Sequence, residues 1–275
     1  MVIEEFKPKS DLLKKYINSF YFIKSKDNKR TEFIYYPHFI ETINIFSDSS
    51  VNISDNVFNV EKEQNKNTVI LSAAKTKFRT ALINNAYDII GIQFFPLAIH
   101  NFFDVKMLSM IEVGLFGFGN SKEFNKVSLT KGIENRIDAL ESFFQNTYKN
   151  RDSKLDKLSR IIKLIHKSKG NIRMNELENQ VSLSRRTILR QFKKYLFCSF
   201  EDYKNTVRFR LAIQNFSGQN RNTSDLIADI AYYDQSDFIN HFKTLAGESP
   251  KKLLKYIANN PDTTSYFWKL KQIIE

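Results

Sequence analysis

The stretch SRRTILRQFKK, residues 184–194, combines five basic side chains with three apolar ones and contains no acidic residue. Ile188 and Phe192 are four positions apart, so they share one face of a helix. The basic side chains at spacings of four and three lie on a different face, and they are Arg186, Arg190 and Lys193. The stretch is therefore predicted to be a helix with an apolar inner face and a basic outer face.

The residues before this helix predict a helix–turn–helix unit. A first helix is expected to end near Gln180, and Val181 to Leu183 are expected to form the turn. Ser184 then stands where a side-chain oxygen can cap the exposed N–H groups of the second helix. A helix of this kind fits a DNA major groove of about 12 Å, where Arg can contact guanine and Lys can reach bases or phosphates.

A second stretch, TSDLIADIAYYDQSDFINHFK at 223–243, repeats the layout. Phe238 and Phe242 have the spacing of Ile188 and Phe192, and Asp234 can cap their helix. In the preceding helix, the residues expected on the apolar inner face are Leu226, Ile227 and Ile230. The outward face is polar and carries Gln235, Ser236, Asn240 and Lys243. Because Gln and Asn suit the adenine edge, this helix can also read bases, although it brings less charge.

The segment between the units, residues 199–216, predicts a helix of about 16 residues and about 24 Å. Such a helix can hold two recognition helices about one DNA turn, roughly 34 Å, apart. The alternative is a basic helical bundle whose amphipathic helices imitate the pattern. Two aligned units with opposed apolar and polar faces favour the DNA-binding interpretation.

Charge is unevenly distributed along the 275 residues. Residues 1–150 have a net charge of +2, whereas residues 151–275 have +10. A basic half suggests a polyanionic partner, with double-stranded DNA expected before an anionic membrane surface. No signal-peptide core and no apolar run of about 18 residues is present, so neither secretion nor insertion into a membrane is predicted. With the single Cys198 expected to be buried, the sequence predicts a soluble cytoplasmic protein.

Much of the first half of the sequence has the residue pattern of β-strands rather than helices. Strand-length runs of β-branched and aromatic residues occur within 31–48, 50–60, 67–74 and 87–96, and Pro37 breaks the first of them. Pro96 is expected to start a helix, and a further helix with an apolar stripe spans Ile133 to Phe144. A polar stretch at 148–154 separates this half from the next apolar helix. The predicted domains are therefore 1–150 and 151–275.

Residues 170–257 resemble the DNA-binding domain of AraC-type transcription regulators. The segment YYDQSDFINHFKTLAGESPKKLL matches the family signature in its D-Q-S-x-F, F-K and G-x-S-P elements, and LSRRTILRQF matches the corresponding part of the first unit. The resemblance implies an all-α domain of seven helices with two recognition helices in successive major-groove segments. The implied base-contacting positions are Arg186, Leu189, Arg190, Lys193, Gln235, Ser236, Ile239 and Asn240.

Three positions depart from the family pattern. Glu178 replaces a small residue, Phe197 replaces the glycine after the first recognition helix, and Ala231 replaces the glycine of the second turn. Because a positive φ is costly for alanine, a different second turn is expected.

Less specifically, the first half resembles the cupin-like effector-binding or dimerisation domain of one group of these regulators. The expected fold is thus α+β with two domains, a small N-terminal β-sheet or barrel with helices and a helical C-terminal domain. The implied function is a sequence-specific transcription regulator, with RNA polymerase, a small-molecule effector and a second copy of the chain as further candidate partners. If a dimer forms, the helix Ile133 to Phe144 is its expected interface.

The competing interpretation is a cupin-like metal-dependent enzyme domain fused to a DNA-binding module. Its candidate ligands are few, because only His38 and His100 lie in the first half and His38 has just Glu41 as a nearby carboxylate. Both histidines stand in apolar, aromatic contexts and are interpreted as core or pocket residues. No catalytic residue, metal or cofactor is therefore predicted.

Overall fold

The computed structural model describes residues 1–72, 76–103, 115–118, 122–217, 235–259 and 268–272. Its strands are β1 (Val2–Phe6), β2 (Ile17–Ser25), β3 (Thr31–Tyr35), β4 (Glu41–Phe46), β5 (Ser49–Ser54), β6 (Val57–Lys62), β7 (Thr68–Ser72), β8 (Arg79–Asn84), β9 (Tyr87–Phe94), β10 (Leu115–Phe118) and β11 (Trp268–Gln272). Its α-helices are α1 (Lys122–Leu129), α2 (Ile133–Thr147), α3 (Asp152–Lys167), α4 (Met174–Val181), α5 (Arg185–Gln191), α6 (Phe200–Ser217), α7 (Gln235–Ala246) and α8 (Pro250–Asn259).

The strands form two sheets. The first has the order β1-β2-β9-β4-β7-β10 and the second has the order β11-β3-β8-β6-β5. Neighbouring strands are antiparallel except β6 and β8, which are parallel. Both sheets contribute to one apolar core, since it contains Phe46 and Ile89 from the first sheet and Phe33 and Phe58 from the second. The N-terminal part is therefore a pair of sheets packed face to face, and the expected β-rich domain is confirmed.

The other face of the first sheet is covered by helices α1 and α2. Ile137, Leu140 and Phe144 of α2 are buried in the same core as strand residues such as Ile43 and Ile92. Ile133 and Phe143 are partly buried against that core. The apolar stripe of α2 is thus used within one chain, and it does not support the expected dimer interface.

Helices α3 to α8 form the C-terminal helical part and have two separate apolar cores. The first core joins α3, α4 and α5 to the start of α6, and the whole predicted stripe of α3 lies in it, namely Leu155, Leu158, Ile161, Ile162 and Ile165. The second core joins the end of α6 to α7 and α8 through residues such as Phe209, Phe242 and Leu253. The helical C-terminal region is confirmed, and among its described helices none is long and apolar enough to cross a membrane.

Some elements differ from the sequence-based expectation. Pro96 is followed by a short 3-10 helix, Ala98–Asn101, because Leu97 takes a left-handed conformation with φ of 69°. Strands β1, β2, β8, β10 and β11 were not predicted. Strand β11 lies in the C-terminal half of the sequence but pairs with β3, with Trp268 opposite Tyr35 and Gln272 opposite Thr31. The C-terminal half of the sequence therefore contributes one strand, β11, to the second sheet.

Candidate nucleic-acid interface

Helices α4 and α5 build the first helix–turn–helix unit. The turn begins at Ser182, whose φ of 51° is left-handed. The side chain of Ser184 caps α5 and accepts a hydrogen bond from the backbone N–H of Thr187 at 3.4 Å. A carboxylate oxygen of Glu178 accepts a second one from the backbone N–H of Arg185 at 2.6 Å. Two backbone N–H groups at the start of α5 thus have hydrogen-bond acceptors. One acceptor is the capping residue Ser184, and the other is Glu178 of the preceding helix α4.

The inner face of α5 is fully buried. Ile188 and Phe192 have 0% exposure and lie in the first C-terminal core. The ring of Phe192 stands edge-on to Phe200 and Tyr203, with centroids 5.4 and 5.6 Å away. Such edge-to-face contacts are favourable beyond the buried area. The position of α5 is therefore determined by tight packing against the first turn of α6.

The outer face of α5 is exposed and basic. Arg186, Arg190 and Lys193 are exposed, and Leu189 beside them is half-buried. Lys193 lies in a final turn of the π type, Phe192–Leu196. The predicted division into an apolar inner face and a basic outer face is confirmed. Arg185 and Lys194 are exposed as well, and the only sequence signal for them was their membership of the same basic stretch.

Helix α7 of the second unit repeats the arrangement. Phe238 and Phe242 are fully buried, with ring centroids 5.5 Å apart. Ser236, Asn240 and Lys243 are exposed, and Ile239 is half-buried. Gln235 is the first residue of the helix, but its side chain lies outside the described part of the chain. The predicted cap Asp234, the turn residue Ala231 and the first-helix residues Leu226, Ile227 and Ile230 also lie outside the described residues.

Helix α6 links the two units. It has 18 residues, slightly more than expected, and is therefore about 27 Å long. Its basic residues are used inside the domain. Lys204 is buried beside Glu201 at 3.2 Å, Arg208 donates to the carbonyl oxygen of Gly170 at 2.9 Å, and Arg210 is 3% exposed. The net charge of the C-terminal half thus overstates what it offers to a polyanion.

The surroundings of Phe197 account for one of the three departures from the pattern of AraC-type domains. Its φ of 57° is left-handed, the conformation for which glycine is preferred after a helix. Its side chain packs against the N-terminal core and lies 6.4 Å from the ring of His100. The contact with the N-terminal domain compensates for a strained backbone position.

The two N-terminal histidines are buried and hydrogen-bonded. Nδ1 of His38 accepts from the backbone N–H of Ile40 at 2.8 Å. Nε2 of His100 lies 2.8 Å from the carbonyl oxygen of Tyr195, so that nitrogen carries the proton. Burial lowers the pKa of His100, which favours the neutral ring. Within the described part of the chain, no three His, Cys, Asp or Glu side chains gather as metal ligands.

Glu41 is buried where β4 meets the helical part. It is 1% exposed, and neither carboxylate oxygen has a hydrogen-bond partner among the described residues. Burial raises the pKa of this carboxyl well above its usual value, and the nearby backbone of Leu97 offsets the effect only in part. Burial is the main reason why the pKa values of Cys198 and Tyr203 are raised. A negative charge on the nearby Glu41 would raise both pKa values further. Burial therefore favours the neutral form of the Glu41 carboxyl in the packed contact between the two halves.

A narrow cavity lies between the two sheets. Its lining is Tyr35, Asn44, Phe46, Phe58, Ile70, Ser72, Arg79 and Ala81. It has room for about one water molecule, so a larger ligand must displace a lining side chain. Burial lowers the pKa of Arg79 to about 10, at which the guanidinium is still charged at neutral pH. The cavity therefore combines mostly apolar walls with the polar side chains of Asn44 and Ser72 and one cation.

Comparison with known proteins gives three kinds of match. Residues 177–256 match a family model described as a helix-turn-helix domain. The Msm operon regulatory protein of Streptococcus mutans is 26% identical over 104 residues, which are 38% of this chain and 37% of that protein. The chain thus matches little more than a third of the length of this curated relative.

Solved structures of ToxT from Vibrio cholerae are similar over most of the chain. An apo form has a TM-score of 0.48 at 15% identity and covers 86% of this chain and 97% of that one. A form with bound unsaturated fatty acid has a TM-score of 0.49 at 14% identity and covers 85% of this chain and 94% of that one.

Proposed function

We propose that this chain, whose residues 177–256 match the model of a helix-turn-helix domain, is a transcription regulator of the AraC type that binds specific DNA sequences in the cytoplasm and acts without catalysis. The observation that carries the proposal is the division of α5. Ile188 and Phe192 are fully buried, while Arg186, Arg190 and Lys193 are exposed on the same short helix. Their exposure leaves the basic side chains free to enter a major groove.

The two helices are proposed to make different contacts with DNA. The residues assigned to the interface are Arg186, Leu189, Arg190 and Lys193 on α5, and Gln235, Ser236, Ile239, Asn240 and Lys243 on α7. Arginine on α5 can bind O6 and N7 of guanine through two hydrogen bonds, whereas Asn240 can bind N6 and N7 of adenine. The exposed lysines suit phosphate oxygens, which position a protein without reading sequence.

Selection of bound DNA from a random pool by the full chain tests this proposal. Two short motifs are expected, with centres about one helical turn apart. The double variant Arg186→Ala, Arg190→Ala should lose the motif read by α5. Arg160→Ala is the matched control, because Arg160 is an exposed arginine of α3 outside the assigned interface. Failure to enrich any motif, or enrichment of the same motifs by the double variant, would contradict the assignment.

The N-terminal domain is proposed to respond to a small molecule bound between its sheets. Mostly apolar walls around the cation of Arg79 suit a small ligand with an apolar body and a carboxylate. A panel of short-chain and aromatic monocarboxylates can be tested for a saturable rise in the melting temperature of the full chain. The rise should disappear in Arg79→Met, and no rise with any member would contradict this ligand class. RNA polymerase and a second copy of the chain stay proposed partners, supported only by the kind of regulator that the domain indicates.

A further inference from the structure

The C-terminal end of α7 is held by the N-terminal domain. The backbone N–H of Phe78, which precedes β8, donates to the carbonyl oxygen of Leu245 in the last turn of α7 at 2.9 Å. Gly247 follows the helix with φ of 73°, and a Cβ atom there would lie 2.8 Å from the Phe78 ring. Any larger residue at this position would therefore push against Phe78 as well as strain the backbone.

Tyr36 makes a second contact with the same unit. It is 1% exposed and packs in one core with Phe238 and Phe242 of α7. Its hydroxyl donates to a carboxylate oxygen of Glu248 at 2.9 Å. Tyr36 directly follows β3, and Phe78 directly precedes β8. Because Tyr35 pairs with Arg79, Tyr36 and Phe78 lie at the same end of the β3–β8 pair in the second sheet.

The first unit is held in a similar way. His100 reaches the carbonyl oxygen of Tyr195, in the last turn after α5. Leu97 lies in the same core as Ile188 and Phe192 of that helix. Residues of the N-terminal domain thus contact the C-terminal ends of both candidate recognition helices.

This arrangement matters because the two units have separate cores. Among the described residues, only α6 contributes from the helical part to both cores, through Tyr203 in the first and Phe209 in the second. The N-terminal domain provides the other connection, through Leu97 in the first and Tyr36 in the second. Two units packed on one helix can still tilt about that helix, whereas a second connection restricts the tilt.

We infer that Phe78 and Tyr36 are positioning residues for DNA recognition, through which the N-terminal domain fixes the separation of α7 from α5 on the duplex. The inference rests on the proposed function. Neither Phe78 nor Tyr36 contacts the DNA itself. They determine how far apart the two motifs must lie, while the side chains of α5 and α7 determine what those motifs are.

The test is selection from a random DNA pool by the full chain and by Phe78→Ala. The original chain should select two motifs at one fixed separation. Phe78→Ala should select the same two motifs over a range of separations wider by at least one base pair. It should also bind the original site about fivefold or more weakly, the lower end of usual coupling between sites. A merely structural role for Phe78 would lower stability and leave the separation unchanged.

Two further variants keep the test decisive. Phe22→Ala removes a buried ring of the N-terminal core that has no part in the α7 contacts, so it should lower stability and keep the single separation. Tyr36→Phe removes only the hydroxyl that binds Glu248, and it should widen the separation if Phe78→Ala does not fold. An unchanged single separation in the folded variants overturns the inference and leaves the proposed function intact. Absence of any motif with the original chain overturns the proposed function itself.

Discussion

The carboxylate of Glu178, in α4, accepts a hydrogen bond from the backbone N–H of Arg185, the first residue of α5, at 2.6 Å. A negative side chain at a helix N-terminus is favoured by the free N–H groups and by the helix dipole. Glu178 therefore joins the two helices of the first unit, at a position where the AraC-type domains that the sequence resembles usually have a small residue.

Glu178→Ala should lower the free energy of unfolding by about 1 kcal/mol, the usual cost of losing a cap. Chemical denaturation monitored by circular dichroism measures the change. Gln180→Ala is the control, since Gln180 is exposed on the same helix. Equal stability of the two variants would show that the Glu178 contact contributes nothing.

Arg190 and Phe192 should respond in opposite ways. Arg190→Ala should weaken binding to the selected site by about 1–3 kcal/mol and relax one base preference, with stability unchanged because the side chain is exposed. Phe192→Ala should cost about 3–5 kcal/mol of stability through a core cavity. Binding titrations and melting curves separate the two effects. A lower melting temperature for Arg190→Ala with an intact base preference would place its side chain in the core and refute the interface.

Asn240 and Lys243 on α7 allow a second comparison. Asn240→Ala should change one base preference and leave non-specific affinity unchanged, because the side chain is uncharged. Lys243→Ala should weaken binding to all sequences and reduce the slope of log affinity against log salt by about 0.9. Both slopes can be measured by fluorescence anisotropy between low and moderate salt. A slope change in Asn240→Ala alone would reverse the assigned roles.

Glu41 should make stability depend on pH. Its pKa is raised in the folded protein, so the folded state holds a proton that the unfolded chain releases. The free energy of unfolding should therefore fall as pH rises above the usual carboxyl pKa and towards the raised value, by up to about 1.4 kcal/mol per pH unit. Glu41→Gln should flatten this fall and be the more stable form at pH 8. Parallel pH profiles of the two proteins would disprove a buried, neutral carboxyl.

The sequence predicted those features that repeat locally and failed for those that depend on distant partners. Ile188, Phe192, Phe238 and Phe242 show their buried face through spacing alone, and Ser184 shows its capping role through its position. By contrast, the contact of His100 with Tyr195 joins residues 95 positions apart. No local pattern marks either partner, so the connection between the domains could be found only from the structure.

The pairing of β11 with β3 has a consequence for how the chain can be divided. Cleavage of the polar segment between α2 and α3 would cut the only covalent link there, yet the pieces would stay joined by a ladder of backbone hydrogen bonds at the edge of the second sheet. The helical half is thus attached to the N-terminal half at two places, covalently through residues 148–151 and by hydrogen bonds through the pairing of β11 with β3. A protease that nicks residues 148–151 should leave a complex that separates only under denaturing conditions.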